Sequence, residues 1–258
     1  MLTDLLEEFR LDWELSGKAL RTVQLYLRDL HRFLGEVSEP TVNDAKTWLA
    51  STDSLTVRRK RGQALRAFAS WCCDNDVSGL EWACHLPLAV EPVRPQQTVT
   101  EADYRAALAA VTTVRDRAVI ELLWSSGLRR NELASLTIED VDLGGGFVVV
   151  RTSKTGKPRV APLSATAVLA VRRLIRDRHS GSLLGLSGNA IRLLLQRLGA
   201  PSAHAWRRGW AAEALRRGVS EASLRAAAGW SSGAMVTRYV QAYSEELALA
   251  EFRRARLS

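Results

Sequence analysis

The amino-acid sequence predicts a mainly α-helical protein of two domains, the second of which contains one small antiparallel β-sheet. Apolar residues recur at helical spacing through most of the 258 residues. A proline-rich stretch without that periodicity, residues 87–97, interrupts the pattern and predicts an extended connector. Two short segments, FVVVR at residues 147–151 and PRVAPL at residues 158–163, flank a turn that contains Gly156 and give the clear strand signal of the sequence.

The first domain is predicted at residues 1–90 and contains four helices. Leucines at helical spacing mark the first two helices. Thr41 is predicted to cap the third, because its hydroxyl can accept a hydrogen bond from a free amide of the first helical turn. The fourth helix is predicted over residues 56–74, and a linker at residues 91–97 then separates this domain from the next.

The second domain is predicted at residues 98–258. Thr100, with Asp103 three residues later, predicts the start of its first helix. Apart from the two strands, this domain is helical. Its predicted helices cover residues 101–111, 115–125, 165–178, 188–198, 203–217, 220–228 and 232–242, with a helical tail after them.

Composition and charge narrow the classes of function. Apolar residues make up 47% of the chain and charged residues 25%, which is typical of a globular protein. No run of eighteen apolar residues occurs and acids lie near the start, so we expect an intracellular, cytoplasmic protein without a membrane partner. Residues 1–95 hold 12 basic and 14 acidic residues, net −2, whereas residues 96–258 hold 24 and 14, net +10. This asymmetry indicates either a polyanionic partner or a solubilising surface charge.

The three cysteines are interpreted as small apolar core residues. Too few potential ligands surround Cys72, Cys73 and Cys84 for a zinc site, and an odd count argues against a disulfide framework.

A basic run opens the fourth predicted helix, formed by Arg58, Arg59, Lys60 and Arg61. Four adjacent positive charges repel one another, and contact with a phosphate backbone would relieve that repulsion. The sequence therefore predicts a DNA contact here. A solvated helix surface is the alternative.

The stretch SSGLRRNELASL, residues 125–136, places Arg129 and Arg130 within three residues of Gly127. Glycine lets the backbone adopt positive φ and approach a ligand closely. Further basic side chains follow along the chain. Lys154 is predicted at the tip of the hairpin turn, where a long side chain can reach away from the sheet.

The motif HAWRR supplies His204 and Arg207, which lie three residues apart and therefore on one face of a helix. Trp230 follows in AGWSSGAMVTRY, and Tyr239 lies nine residues after it. A second tyrosine, Tyr243, is an alternative nucleophile on nearly the same helical face.

In this order and spacing, these motifs resemble the tyrosine recombinases of the phage integrase family. The resemblance covers residues 98–258, and the N-terminal part is more loosely similar to the family's helical, SAM-like core-binding domain. The six residues that match the family's catalytic set are Arg129, Lys154, His204, Arg207, Trp230 and Tyr239. The chain departs from the family at Trp206 and Arg208, where leucine and histidine are usual, and Trp230 is more similar to Cre-type and Flp-type members than to the Xer type.

The resemblance implies DNA cleavage and rejoining through a 3′-phosphotyrosyl intermediate. Tyr239 would be the nucleophile, and guanidinium forks such as those of Arg129 and Arg207 suit phosphate oxygens. His204 would act as a general base and Lys154 as a general acid. The remaining residues predicted to contribute are Trp230 as an indole donor, Glu132 as an orienting residue, and Arg130, Lys157 and Arg208 as DNA contacts.

As a site-specific recombinase or integrase of this kind, the protein would act as a tetramer through a four-way (Holliday) junction. Its partner would be double-stranded DNA with an inverted-repeat core site, and it would associate with the nucleoid in a prokaryotic or phage context. No metal and no cofactor are expected, because arginines supply the positive charge. No arm-binding domain is expected before residue 1. A type IB topoisomerase-like relaxing enzyme and a non-catalytic DNA-binding regulator are the alternative functions.

Overall fold

The computed structural model describes residues 2–90, 97–151, 158–230, 233, 252 and 253. The chain divides into two compact units, Met1–Arg94 and Pro95–Ser258. Over the described residues both units are mostly helical, with one small antiparallel sheet, which confirms the predicted fold class.

The first unit is a helical bundle with an aromatic core. Its helices are α1 (Leu5–Leu15), α2 (Leu20–Glu36), α3 (Val42–Ala50) and α4 (Leu55–Asp74), followed by a 3-10 helix (Glu81–His85). Thr41 caps α3 as predicted, with its hydroxyl accepting from the Asp44 amide and the Asp44 carboxylate accepting from the Thr41 amide. Phe9 and Phe68 meet edge to face with ring centroids 5.3 Å apart, so α1 and α4 close on each other.

The cysteine prediction is correct for one residue of three. Cys72 is buried in the bundle core, but Cys73 is exposed and Cys84 is only partly buried. Consecutive residues of a helix point about 100° apart, so Cys73 cannot share the inward direction of Cys72. The Cys73 and Cys84 sulfurs lie 3.7 Å apart at the surface.

The second unit surrounds α6 with other helices and places a small sheet on one side. Its elements are α5 (Glu101–Ala110), α6 (Val114–Ser126), α7 (Arg130–Ser135), β1 (Val141–Asp142), β2 (Phe147–Val150), β3 (Arg159–Pro162), α8 (Ala165–Ile175), α9 (Gly188–Arg197), α10 (Ala203–Arg216) and α11 (Glu221–Ala228). The core residues of α6 are fully buried, among them Ile120, Leu122 and Leu123. Thr100 caps α5 together with Asp103, as predicted.

The sheet has three antiparallel strands in the order β1-β2-β3, one more strand than the sequence predicts. β1 contains two residues, which is too short for an alternating pattern to be visible. In β3 the side chains alternate between buried and exposed, with Arg159 and Ala161 on the buried face and Val160 on the exposed face. An arginine therefore occupies an inward-facing position of this strand.

Two further differences concern helix ends. The predicted helix over residues 165–178 ends at Ile175, because Arg176 adopts a positive φ of 46°. The predicted helix at residues 232–242 and the tail after it lie outside the residues that the structure describes. No helix among the described residues is long and apolar enough to cross a membrane.

Candidate active site

The turn between α6 and α7 places Arg129 at the start of a short helix. α6 ends at Gly127, which has φ of 57°, and a Cβ at this position would lie 2.1 Å from the Trp210 ring. Only glycine satisfies both the left-handed backbone and this close approach. The turn then directs Leu128 into the core and leaves Arg129 half-buried at the N-terminus of α7.

Glu132 is the common partner of three guanidinium groups. Its side chain is 5% exposed, and its Oε1 accepts from Nη1 of Arg129 at 2.7 Å. Its Oε2 accepts from the Arg129 amide at 2.8 Å and from Nη2 of Arg159 at 2.8 Å. Nη1 of Arg207 lies 4.0 Å from the same Oε2. A buried carboxylate is costly unless it is paired, and these arginines supply the pairing.

Arg207 is fully buried on α10 and holds three segments together. Its Nη1 donates to the Gly127 carbonyl at 2.7 Å, and its Nη2 donates to the carbonyl of Ala228 at the end of α11. The guanidinium lies 5.3 Å from the centre of the buried Trp230 ring, within range of a cation–π interaction. These contacts fix the guanidinium in one orientation.

His204 lies in the first turn of α10, three residues before Arg207, and is exposed. The protein atoms around the ring remove part of its hydration, and Arg208, Arg207 and Arg129 add positive charge nearby. Both effects disfavour the imidazolium and lower the pKa of His204 below its ordinary value. The ring is therefore held in the neutral form that can accept a proton.

A cavity of about 1080 Å³ opens beside this cluster. Arg129, Arg130 and His204 line it, and Arg192 of α9 contributes a further cation. Positive charge around an open cavity attracts an anion, and the guanidinium fork matches phosphate oxygens.

The structure therefore brings five of the predicted site residues together in the second unit. These residues are Arg129, Glu132, His204, Arg207 and Trp230. Lys154, Lys157 and Tyr239, together with the alternative nucleophile Tyr243, lie outside the described residues.

The structure places two of the predicted DNA contacts in buried positions. Arg61 is 9% exposed, lies 4.7 Å from the centre of the Trp48 ring and donates to the Trp48 carbonyl at 3.1 Å. Arg208 is also 9% exposed, and its Nε donates to the Gln97 carbonyl at 2.7 Å. Both guanidinium groups donate inside their own units, and neither residue lines the cavity beside Glu132.

The other residues of the basic run differ from Arg61. Arg58 and Arg59 are partly buried and donate to the carbonyls of Thr52 and Ala89, at 2.8 Å and 3.0 Å. Lys60 is exposed. A DNA contact of Arg58, Arg59 and Lys60 stays a prediction, as does that of Arg130.

Sequence reasoning missed Arg159. This residue joins Glu132 from the inward face of β3 and is 9% exposed. A charged residue at an inward position of a strand is rare and marks a buried partner. In the sequence PRVAPL, however, Val160 suggests the opposite face as the buried one, so the alternation does not reveal the arginine.

Residues 97–246 match the phage integrase family. The match covers more than half of the 258 residues, so the chain belongs to the phage integrase family.

Its relatives include tyrosine recombinases of archaea and bacteria. The tyrosine recombinase XerA of Pyrococcus horikoshii is 31% identical over 188 residues, which cover 70% of this chain and 63% of that protein. The tyrosine recombinase XerD of Ralstonia nicotianae is 32% identical over 188 residues, which cover 67% of this chain and 61% of that protein. The chain thus spans less than two thirds of the length of these relatives.

Solved structures share the fold. The Tn1549 transposon integrase in complex with a circular intermediate DNA superposes with a TM-score of 0.76 and 18% identity, covering 98% of this chain and 99% of that one. A λ integrase dimer bound to a COC′ core site gives a TM-score of 0.75 at 16% identity, covering 92% and 76%. The architecture is therefore retained at low sequence identity.

Proposed function

We propose that this protein is a site-specific DNA recombinase that cleaves and rejoins strands through a 3′-phosphotyrosyl bond. One observation carries the proposal: Arg129 and Arg207 share the buried carboxylate of Glu132 beside a cavity lined by His204, in a chain of the phage integrase family. The net charge of +10 in residues 96–258 supports a DNA partner, since basic residues that neutralise phosphates release counterions.

The chemistry assigns one task to each residue. Tyr239 attacks the scissile phosphorus while His204 takes the phenolic proton, and the bond from phosphorus to the 5′-oxygen breaks. Arg129 and Arg207 stabilise the negative charge that develops on the non-bridging oxygens. Lys154 gives a proton to the departing 5′-oxygen. A 5′-hydroxyl of another strand then attacks the phosphotyrosine, which forms a new phosphodiester bond and releases the tyrosine. The number of phosphodiester bonds is therefore the same before and after the reaction.

The positions of the supporting residues agree with these tasks. Glu132 holds the Arg129 side chain and main chain at once, which aligns the guanidinium before DNA arrives. Trp230 packs on Arg207 and offers an indole N–H as a donor. Arg130, which lines the cavity, contributes charge for neighbouring phosphates, and the same role is proposed for Lys157, which lies outside the described residues.

The assembly follows from the reaction. Exchange between two duplexes requires four strand cleavages, and each copy supplies one tyrosine, so we propose a tetramer on DNA. Pairs of copies related by twofold symmetry recognise inverted repeats, since symmetry in the site mirrors symmetry in the protein. Such a protein acts in the cytoplasm on nucleoid DNA.

The proposal predicts recombination of a plasmid that carries two copies of an inverted-repeat core site taken from the DNA flanking the gene. We expect deletion or inversion between the two sites, observed as new restriction fragments, in buffer that contains EDTA at matched ionic strength. Charge on the phosphate is stabilised by arginines, so chelation should leave the reaction intact. A plasmid with one site and one scrambled site is the control.

Other outcomes would identify other functions. Relaxation of supercoiled plasmid regardless of site, without fragment exchange, would indicate a type IB topoisomerase. Tight DNA binding without any covalent complex would indicate a regulator. Activity that is lost in EDTA and restored by Mg²⁺ would contradict the arginine mechanism.

The lowered pKa of His204 predicts an unusual pH dependence of cleavage. A base with a lowered pKa stays neutral below pH ~6.5, the ordinary histidine value, so cleavage should persist to lower pH than for an unperturbed histidine. The substitution Arg208→Gln removes one positive charge, so the pKa of His204 rises. The acidic limb of the pH–rate profile of cleavage should therefore move to higher pH. The measurement is the rate of covalent complex formation between about pH 5 and 8 at subsaturating DNA, which reports the free enzyme.

Arg192→Gln is the matched control for that measurement. Arg192 lines the same cavity but is not among the charges that act on His204. Its acidic limb should coincide with that of the wild type, whatever happens to DNA affinity. If the pH–rate profile of Arg208→Gln is identical to that of the wild type, protonation of His204 does not determine the acidic limb of the profile.

A further inference from the structure

Arg159 is a buried arginine that the proposed mechanism does not use. It lies at the start of β3, where Val150 of β2 is its cross-strand partner. Its side chain is 6% exposed and reaches Glu132, 27 residues earlier in the chain, at 2.8 Å. Burying an arginine is costly, so its presence at this position calls for a specific task.

Through this contact, the two oxygens of the Glu132 carboxylate have different hydrogen-bond partners. Arg159 donates to Oε2, which also accepts from the Arg129 amide, and Oε1 then faces Nη1 of Arg129. Without Arg159, one charge-assisted bond to Oε2 is lost and the carboxylate can rotate about its last torsion, which is broad. Arg129 would then lose its fixed partner.

Packing holds Arg159 in place from the other side. Gly229 follows α11 with φ of 65°, and a Cβ there would lie 2.7 Å from Cδ of Arg159. The glycine thus leaves room for the arginine stem immediately before Trp230. Burial, reinforced by the charge of Arg129, lowers the pKa of the Arg159 guanidinium, while Glu132 opposes that shift.

The charge balance of the cluster points to an anion. Arg129, Arg159 and Arg207 surround the single carboxylate of Glu132. Within the described part of the chain, Nε and Nη1 of Arg159 are buried without a hydrogen-bond partner. A buried excess of positive charge is stabilised when a phosphate diester enters beside it.

We infer that Arg159 is a positioning residue for phosphate binding, which acts through Glu132 to hold Arg129 in the orientation that stabilises the transition state. This inference rests on the proposed function. It adds a third guanidinium to the site and links β3 to the arginine pair.

The test uses DNA in which a methylphosphonate replaces the scissile phosphate. One charged oxygen becomes a neutral methyl group, so the reaction depends less on correctly held arginines. On normal DNA, Arg159→Met should lower the rate of covalent trapping by about 10- to 100-fold, the loss typical of outer-shell partners at metal sites. On methylphosphonate DNA, the defect relative to wild type should shrink several-fold, as for Arg129→Ala. A residue that only stabilises the fold would give the same defect on both substrates.

A double-mutant cycle shows whether the effect passes through Glu132. If it does, Arg159→Met combined with Glu132→Gln should cleave no more slowly than Glu132→Gln alone. Additive losses would mean that Arg159 acts on the phosphate independently, and they would overturn the inference.

Two further variants keep the test decisive. Arg159→Lys retains a charge that can pair with Glu132 but lacks the planar guanidinium fork, so it should recover part of the cleavage rate that Arg159→Met loses. It should also fold if Arg159→Met fails to fold. Arg151→Met is the control, since Arg151 flanks the same hairpin, pairs with Asp140 and has a side chain that is 66% exposed. Its rate should match the wild type on both substrates.

The outcomes separate the two proposals. A wild-type protein that traps no covalent complex would refute the recombinase function itself. Two other results would refute only the role of Arg159, provided that the wild type traps DNA. In the first, Arg159→Met and Arg159→Lys cleave as fast as the wild type. In the second, both variants are impaired to the same extent on normal and on methylphosphonate DNA.

Discussion

Replacing Tyr239 with phenylalanine is expected to abolish covalent attachment to DNA. The substitution removes the one oxygen that can form the phosphotyrosyl bond and leaves the aromatic ring, so DNA affinity should stay close to that of the wild type. A nicked half-site substrate loses a short strand after cleavage and thereby traps the covalent complex. That complex is then measured as a shifted band on a denaturing gel, and affinity is measured by a native gel shift.

Tyr243→Phe is the matched control, since this tyrosine lies four residues later in the same stretch. It should trap DNA at the wild-type level. The reverse result, with trapping by Tyr239→Phe and none by Tyr243→Phe, would move the nucleophile to Tyr243. Trapping by both single variants, with loss in the double variant, would show that either tyrosine can attack.

The second large effect concerns Lys154 and the leaving group. A 5′-alkoxide leaves poorly without a proton, so Lys154→Ala should lower cleavage by ~10²–10⁴-fold, the usual contribution of general acid catalysis. Replacing the bridging 5′-oxygen with sulfur gives a thiolate that departs without protonation. Cleavage by Lys154→Ala should therefore be largely restored on the sulfur-substituted strand.

Arg129→Ala provides the contrast for this experiment. Its guanidinium serves the non-bridging oxygens, so the variant should stay impaired on both strands. If sulfur fails to restore Lys154→Ala, the lysine binds phosphate as the arginines do. The acid would then be sought at His204 or Lys157.

The sulfur and methylphosphonate substrates also distinguish neighbouring parts of the site. A leaving-group acid responds to sulfur, and a residue that serves the phosphate charge responds to the methylphosphonate. Arg159 is expected in the second group because it contacts Glu132 and, through it, Arg129. The pair of substrates thus assigns each variant to one step of the reaction.

Local patterns in the sequence were sufficient to predict the helices of the described residues and where they start. The hydroxyls of Thr41 and Thr100 accept from amides only three residues away, so their caps depend on the immediate sequence. The ion pair between Arg129 and Glu132 also joins residues that are only three positions apart, so it too depends on the immediate sequence. The order of the family's motifs predicts the remaining site residues without any knowledge of contacts.

Tertiary structure alone decided which arginines line the cavity and which are used internally. Arg61 and Arg208 sit in basic motifs, yet they donate to carbonyls 13 and 111 residues away. Arg159 meets Glu132 across 27 residues, and Arg207 meets the Gly127 carbonyl across 80. A guanidinium has the same charge and reach in every sequence context, and its partner is set by which distant backbone or carboxylate the fold brings within about 3 Å. The sequence therefore determined the helices and the reactive groups, while the packing of α6, α7, α10 and β3 determined which of the cations converge on one carboxylate.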